Sequence, residues 1–160
     1  MPHLATEHFR QMTRTDMVHV PYKGDAPAIV DLLGGQVQLV LGGPLVMSPH
    51  IKAGKLRGLA VTSAQRSRIM PDLPAVSEQV PGYSATTWFG MWAPAGMPKE
   101  IVSRLNQSIA RILKLPDVQE RLRIDGMEAA HSTPEDFARF VAGDIAKWSK
   151  VVKTGNIKVD

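Results

Sequence analysis

Short β-prone runs alternate with helical ones along residues 3–62, and this alternation limits the possible folds more than any other feature of the chain. His3 to Arg14 predicts a helix with Leu4, Ala5, Phe9 and Met12 on one side. Met17 to Pro21 is a short β-type run. Asp25 to Leu33 predicts a second helix, with Asp25 as its N-cap, Pro27 in its first turn and Gly34-Gly35 ending it. Val37 to Leu41 is continuously apolar, the pattern of a strand covered on both faces. Ser48 to Ala53 reads as a short helix closed by Gly54, and Leu56 to Thr62 as a further strand. Elements alternating at this spacing predict an α/β fold with a parallel, doubly wound sheet.

The remainder follows another pattern. Pro71, Pro74, Pro81 and Gly82 punctuate residues 63–83, which predicts connecting loop with one short helix near Val76 to Gln79. Thr86 to Trp92 is aromatic and β-prone, and Ala93 to Pro98 is a turn. Beyond it, Ile101, Val102, Leu105, Ile109 and Ile112 share one helical face, with Lys99, Arg104, Arg111 and Lys114 on the other. Pro116 breaks that helix; Asp117 to Asp125 begins another, which Gly126 closes. Thr133-Pro134-Glu135-Asp136 is a strong helix start: an N-cap, a proline at the first helical position, then acids at the positive helix end. Phe137, Phe140, Val141, Ile145 and Trp148 then recur at helical spacing.

Composition removes several function classes. The 160 residues include no cysteine, which rules out disulfides, thiol catalysis and thiolate zinc sites. No apolar run approaches the ~20 residues of a membrane-spanning helix. Met1 to Arg14 shows neither the charged nor the apolar region of a secretory leader, so the chain, if complete as it stands, is expected in the cytoplasm. The five histidines, at 3, 8, 19, 50 and 131, form no HExxH and have no carboxylate cluster at ligand spacing, so no metal and no cofactor is expected. A GxSxG elbow, a P-loop, GxGxxG and paired acids are all absent, and no catalytic residue or enzyme activity is expected.

Charge points to anions. The formal net charge is +4, and no Asp or Glu lies between Asp31 and Asp72, where Lys52, Lys55, Arg57, Arg66 and Arg68 are found. After residue 98 the two signs are interspersed, unlike the one-sided charge of a nucleic-acid tail, so no nucleic-acid partner is expected.

The binding candidate is His19-Val20-Pro21-Tyr22-Lys23-Gly24-Asp25-Ala26-Pro27-Ala28: a strand, a loop and a helix start. Free N–H groups at a helix N-terminus bind carboxylate or phosphate, and ligands of open α/β sheets sit at this edge. The same residues also suit a plain βα turn, with Lys23 a solvated charge and Tyr22 a half-buried packing residue. Gly42-Gly43-Pro44 offers the same choice. Its glycines either let a ligand approach the backbone or simply make a tight turn.

Several blocks in order tip that choice. HVPYKGDAPAIVDLLGGQVQL, IKAGKLRGLAVTSAQRS, PDLPAVSE with PGY, WFGMWAPAGMPKEIVSRLN and the closing KWSKVVKTGNIKVD together resemble the Bug (TctC-like) receptors of tripartite tricarboxylate transporters over nearly the whole chain. That family is similar to type II periplasmic binding proteins, whose two α/β domains are joined by crossover strands around a cleft. Typical members are roughly twice as long. The resemblance implies that residues 1–85 form most of domain two, lacking its first strand, that 86–92 are a crossover strand, and that 93–160 are helices belonging to domain one.

Carried over by position, Tyr22, Lys23, Gly24, Asp25, Ala26 and Pro27 would lie at the cleft, with Gly42 and Gly43 in the adjacent loop. The implied role is a periplasmic receptor passing a small organic acid or amino acid to membrane transporter subunits, without chemical turnover. Many relatives carry an Asp near Gly42; its absence here disfavours a ligand amino group at that spot. Asn156 stands where the family usually has Gly. With little of domain one present, Ile101, Leu105, Phe137, Phe140 and Trp148 are expected to expose apolar surface and to favour self-association. The alternative is a shortened product without binding activity; an enzyme or a nucleic-acid binder fits less well.

Overall fold

The computed structural model describes residues 1–157. Six helices lie among them: α1 (Pro2–Thr13), α2 (Asp25–Leu33), α3 (Pro44–Lys52), α4 (Lys99–Ile112), α5 (Pro116–Ile124) and α6 (Pro134–Gly155). A short 3-10 turn, Val76–Glu78, falls where the loop was expected to contain a helix. The chain divides into two units, one of Met1–Thr86 with the residues from Lys150 on, the other of Thr87–Ser149.

The first unit is organised around Tyr83. Its side chain is 1% exposed, and its hydroxyl donates to the Ala5 carbonyl at 3.0 Å. The His8 ring stacks on it at 5.3 Å, and Phe9 meets it edge-on at 5.9 Å. One face of α1 therefore closes over a residue that lies 78 positions away. The same helix holds the end of α6: the Gln11 side-chain amide donates to the Val151 carbonyl at 3.0 Å. There Gly155 leaves room for Glu7, whose carboxylate oxygen would come within 2.7 Å of an added Cβ. Asn156 adopts a left-handed φ of 49°, a conformation Asn tolerates better than most residues.

The sheet expected from the sequence is not formed as a ladder. Among the described residues the pairing is one isolated parallel bridge, Val61 with Ala75. Its hydrogen bonds run from Val61 N–H to the Pro74 carbonyl (2.9 Å) and from Val76 N–H to the Val61 carbonyl (3.0 Å). The Thr62 carbonyl also accepts from the Ala85 N–H at 2.8 Å. So only the end of the Leu56–Thr62 run pairs, and its neighbours come from the proline-punctuated loop.

Met17–Pro21, Val37–Leu41 and Thr86–Trp92 run without strand pairing. An extended segment becomes a strand only when a neighbour supplies N–H and C=O partners. Without that cover Val18 is 89% exposed and Leu39 45% exposed, so Val37–Leu41 is not covered on both faces. The fold still belongs to the α/β class, as the comparisons below establish.

The second unit is held by aromatic contacts. Trp88 meets Phe137 and Phe140 edge-on at 5.6 and 5.3 Å, and Trp92 lies 5.1 Å from Phe137. Successive side chains of an extended segment alternate sides. Trp88 and Trp92 accordingly turn to α6, although Trp92 stays 67% exposed, while Phe89 and Met91 are 84% and 68% exposed. The indole N–H of Trp88 donates to Asp144 at 3.0 Å, and Lys147 pairs with the same carboxylate at 2.8 Å. Burial opposes the charge on Asp144, but the hydrogen bonds from Lys147 and Trp88 outweigh it and hold the group below the usual carboxylate range.

The start of α6 is capped as its sequence predicts: the Thr133 hydroxyl accepts from the Asp136 N–H at 3.1 Å. Even so, every buried side chain of the described residues belongs to the first unit. Of the residues expected to expose apolar surface, Ile101 (48%), Leu105 (44%) and Phe140 (48%) do so, whereas Phe137 and Trp148 are half-buried.

Gly90 lies against this cluster, and a Cβ there would run into the Phe137 ring. That ring is held by Trp88, Trp92 and Phe140, so it has little room to yield. Gly90→Ala is expected to destabilise the second unit by about 1–3 kcal/mol, the usual cost of overpacking. Urea unfolding followed by tryptophan fluorescence measures it.

Candidate functional site

The candidate segment opens onto α2, and Gly24 rather than Asp25 is the N-cap. Gly24 has φ 106° and ψ 178°, a backbone conformation that a side chain would strain. Asp25 is instead the first helical residue, where its charge suits the positive helix end. No side chain caps this terminus. Its N–H groups are thus available to an outside acceptor, except at Pro27, which has none.

Tyr22 is fixed by a bond that the sequence did not suggest. Its hydroxyl donates to Asp31, two turns further along α2, at 2.7 Å. That hydrogen bond, with some burial and the charge of Asp31, raises the phenol above its ordinary value. The loop is thereby pinned back on the helix it precedes. Lys23 is exposed, as are Gly24, Ala26 and Pro27; Asp25 is half-buried.

The glycine pair caps a second helix. The helix α3 begins at Pro44, four residues before the predicted Ser48, with Gly43 as its N-cap and again no side-chain cap. Proline at the first helical position explains the early start. Pro49, inside the helix, is what hides it in the sequence. Gly42 packs against Met47, whose side chain occupies the place a Cβ would take. Its lack of a side chain is therefore already accounted for by packing.

Together α2 and α3 flank an open apolar groove of about 350 Å³, lined by Ala26, Ile29, Val30, Leu33, Val46 and His50. Of the residues expected at the cleft, Ala26 lies in this groove and the other seven do not line it. Val46 and His50 were missed for the same reason as the start of α3. Once α3 begins at Pro44 they fall four apart on one helical face. Among the described residues, no group of three or more His, Asp or Glu is placed to hold a metal ion.

The chain aligns with solute-binding proteins of bacterial transport. The structure of Rpa4515 of R. palustris with adipate has a TM-score of 0.76 and 41% identity, over 98% of this chain and 52% of that one. MatC of Rhodopseudomonas palustris with bound malate has a TM-score of 0.66 and 28% identity, over 95% of this chain and 53% of that one. The fold class is thus that of the periplasmic binding proteins. Protein BugT of Bordetella pertussis is 35% identical over 98% of this chain and 48% of its own length.

The model of the tripartite tricarboxylate transporter family receptor matches residues 1–157, and the chain belongs to that family. It spans about half the length of the curated relatives it matches. This is a family of solute-binding receptors associated with transport.

Proposed function

We propose that this chain forms the ligand-holding part of an extracytoplasmic receptor that captures a small carboxylate-bearing metabolite for a tripartite tricarboxylate-type transporter. The observation that carries this reading is the uncapped N-terminus of α2 behind Gly24. Backbone N–H groups and the helix dipole at such an end favour a carboxylate without any change of protonation. The similar proteins Rpa4515 and MatC were solved with adipate and malate, both dicarboxylates.

In this reading Tyr22, Lys23, Gly24, Asp25, Ala26 and Pro27 form one wall of the site, and Gly42 and Gly43 approach it from the second uncapped helix. Lys23 contributes a positive charge at the loop. Residues 1–85, joined by the end of α6 from Lys150, act as domain two, 86–92 as the crossover and 93–149 as helices of domain one. The exposed Ile101, Leu105 and Phe140 drive self-association where nothing covers them. The role is binding and delivery in the periplasm, without turnover.

Thermal unfolding tests the reading, in a chain of the relatives' length carrying this sequence. A dicarboxylate such as adipate or malate at about a hundred times its Kd is expected to stabilise by about 2.7 kcal/mol, while the neutral diamides do nothing. Stabilisation by neutral sugars or diamides, with none from any organic acid, contradicts it.

A further inference from the structure

Of the five histidines, His50 lines the groove and the other four do not. Two of them, His3 on α1 and His19 in the extended segment that enters the Tyr22 loop, are stacked face to face. Their ring centroids are 3.8 Å apart and the planes differ by 3°. Parallel rings send their in-plane nitrogen lone pairs along parallel lines, so the pair does not converge on a metal. What the stack does is hold a segment that is otherwise poorly covered: Val18 and Val20, on either side of His19, are 89% and 47% exposed.

We propose that the His3–His19 stack is an acid-released clamp that sets the position of the loop beginning at Tyr22. Neutral rings stack; two imidazolium rings at this distance repel. Histidine is the side chain whose ordinary titration falls between pH 5 and 8. His19 is pushed down by burial and, in addition, by the charge of His3. Glu7, one turn along α1, is the carboxylate that feels His3, and it is already held low chiefly by its hydrogen bond from Arg10. Its charge is already paired with Arg10 at 2.8 Å, so it offsets only part of a second positive charge.

Sign and size follow. Because the folded His19 value is depressed, the contact is fully present above about pH 6.5 and is lost as pH falls through the folded value. Two unit charges about 4 Å apart in a water-like medium change the open-to-closed ratio by about fivefold. Calling the released segment part of the ligand site rests on the function proposed above; the clamp itself does not.

Nuclear magnetic resonance on this chain tests the clamp without any ligand. Ring-proton contacts between His3 and His19 are expected to be weaker at pH 5 than at pH 7.5. The backbone amides of Tyr22 to Asp25 should move with the His19 midpoint. In His3→Gln that midpoint is expected to rise toward the ordinary value. In His3→Phe, which keeps a stacking face and removes the charge, the loop amides should stay in place at pH 5. An unchanged His19 midpoint in His3→Gln overturns the proposal. So do ring contacts equally strong at pH 5 and pH 7.5, or loop amides that ignore the titration. Failure of the dicarboxylate assay alone leaves these readouts intact and refutes only the assigned function.

Discussion

Tyr83→Ala is expected to cost about 3–5 kcal/mol, the range for emptying a buried aromatic site. Domains of this size have stabilities of about 5–15 kcal/mol, so the first unit would lose a large share of its stability. The reason is geometric. Tyr83 is the most deeply buried large side chain, and it joins α1 to the loop through the Ala5 carbonyl, the His8 ring and the Phe9 edge. Tyr83→Phe keeps the ring and loses only the hydroxyl, at about 1 kcal/mol.

Burial pushes the Tyr83 phenol up to about 12. The unfolded chain ionises near pH 10, two units earlier. The stability this residue contributes is therefore fully present below pH 10 and is lost as pH rises through 12. Urea unfolding at pH 7 and pH 11, on the parent and both variants, measures all three effects. Tyr83→Phe is expected to lose the alkaline dependence that Tyr83 brings.

The second large effect concerns Asp25, in a chain of the relatives' length. Asp25→Pro places proline at the first helical position, after a Gly24 whose ψ of 178° suits it. The helix should survive while one N–H donor at its end disappears. A hydrogen bond to a charged group is worth about 1.5–3 kcal/mol, so affinity for a dicarboxylate is expected to fall about 10- to 150-fold. Asp25→Ala is the control. It keeps the N–H and removes a negative charge from the site, so its affinity should be equal or higher. Calorimetric titration with adipate or malate reads both. The pair separates backbone donation from charge, because both variants remove the charge and only Asp25→Pro removes the amide donor.

The helices were largely legible because their stop and start signals are local. Gly34-Gly35 after Leu33, Gly54 after α3 and Thr133-Pro134 before α6 act within one turn, and each marks a real end. The strands were not legible in the same way. Val37–Leu41 has the composition of a buried strand, but pairing depends on a neighbour that composition does not name. Tyr83 sits in a segment read as loop, and nothing near it signals that Ala5 will accept its proton. At the site, the turn from Tyr22 to α2 was readable to within one residue of its cap. The Asp31 partner of Tyr22 and the groove residues Val46 and His50 were not, since they are brought in by the packing of α2 and α3.

Crystals of the relatives' full-length form, carrying this sequence and grown with a dicarboxylate, give the most direct answer. The ligand's carboxylate oxygens should lie about 2.7–3.2 Å from the backbone nitrogens of Gly24, Asp25 or Ala26, or one water away. A dicarboxylate seated elsewhere, with those amides turned to open solvent, contradicts the account.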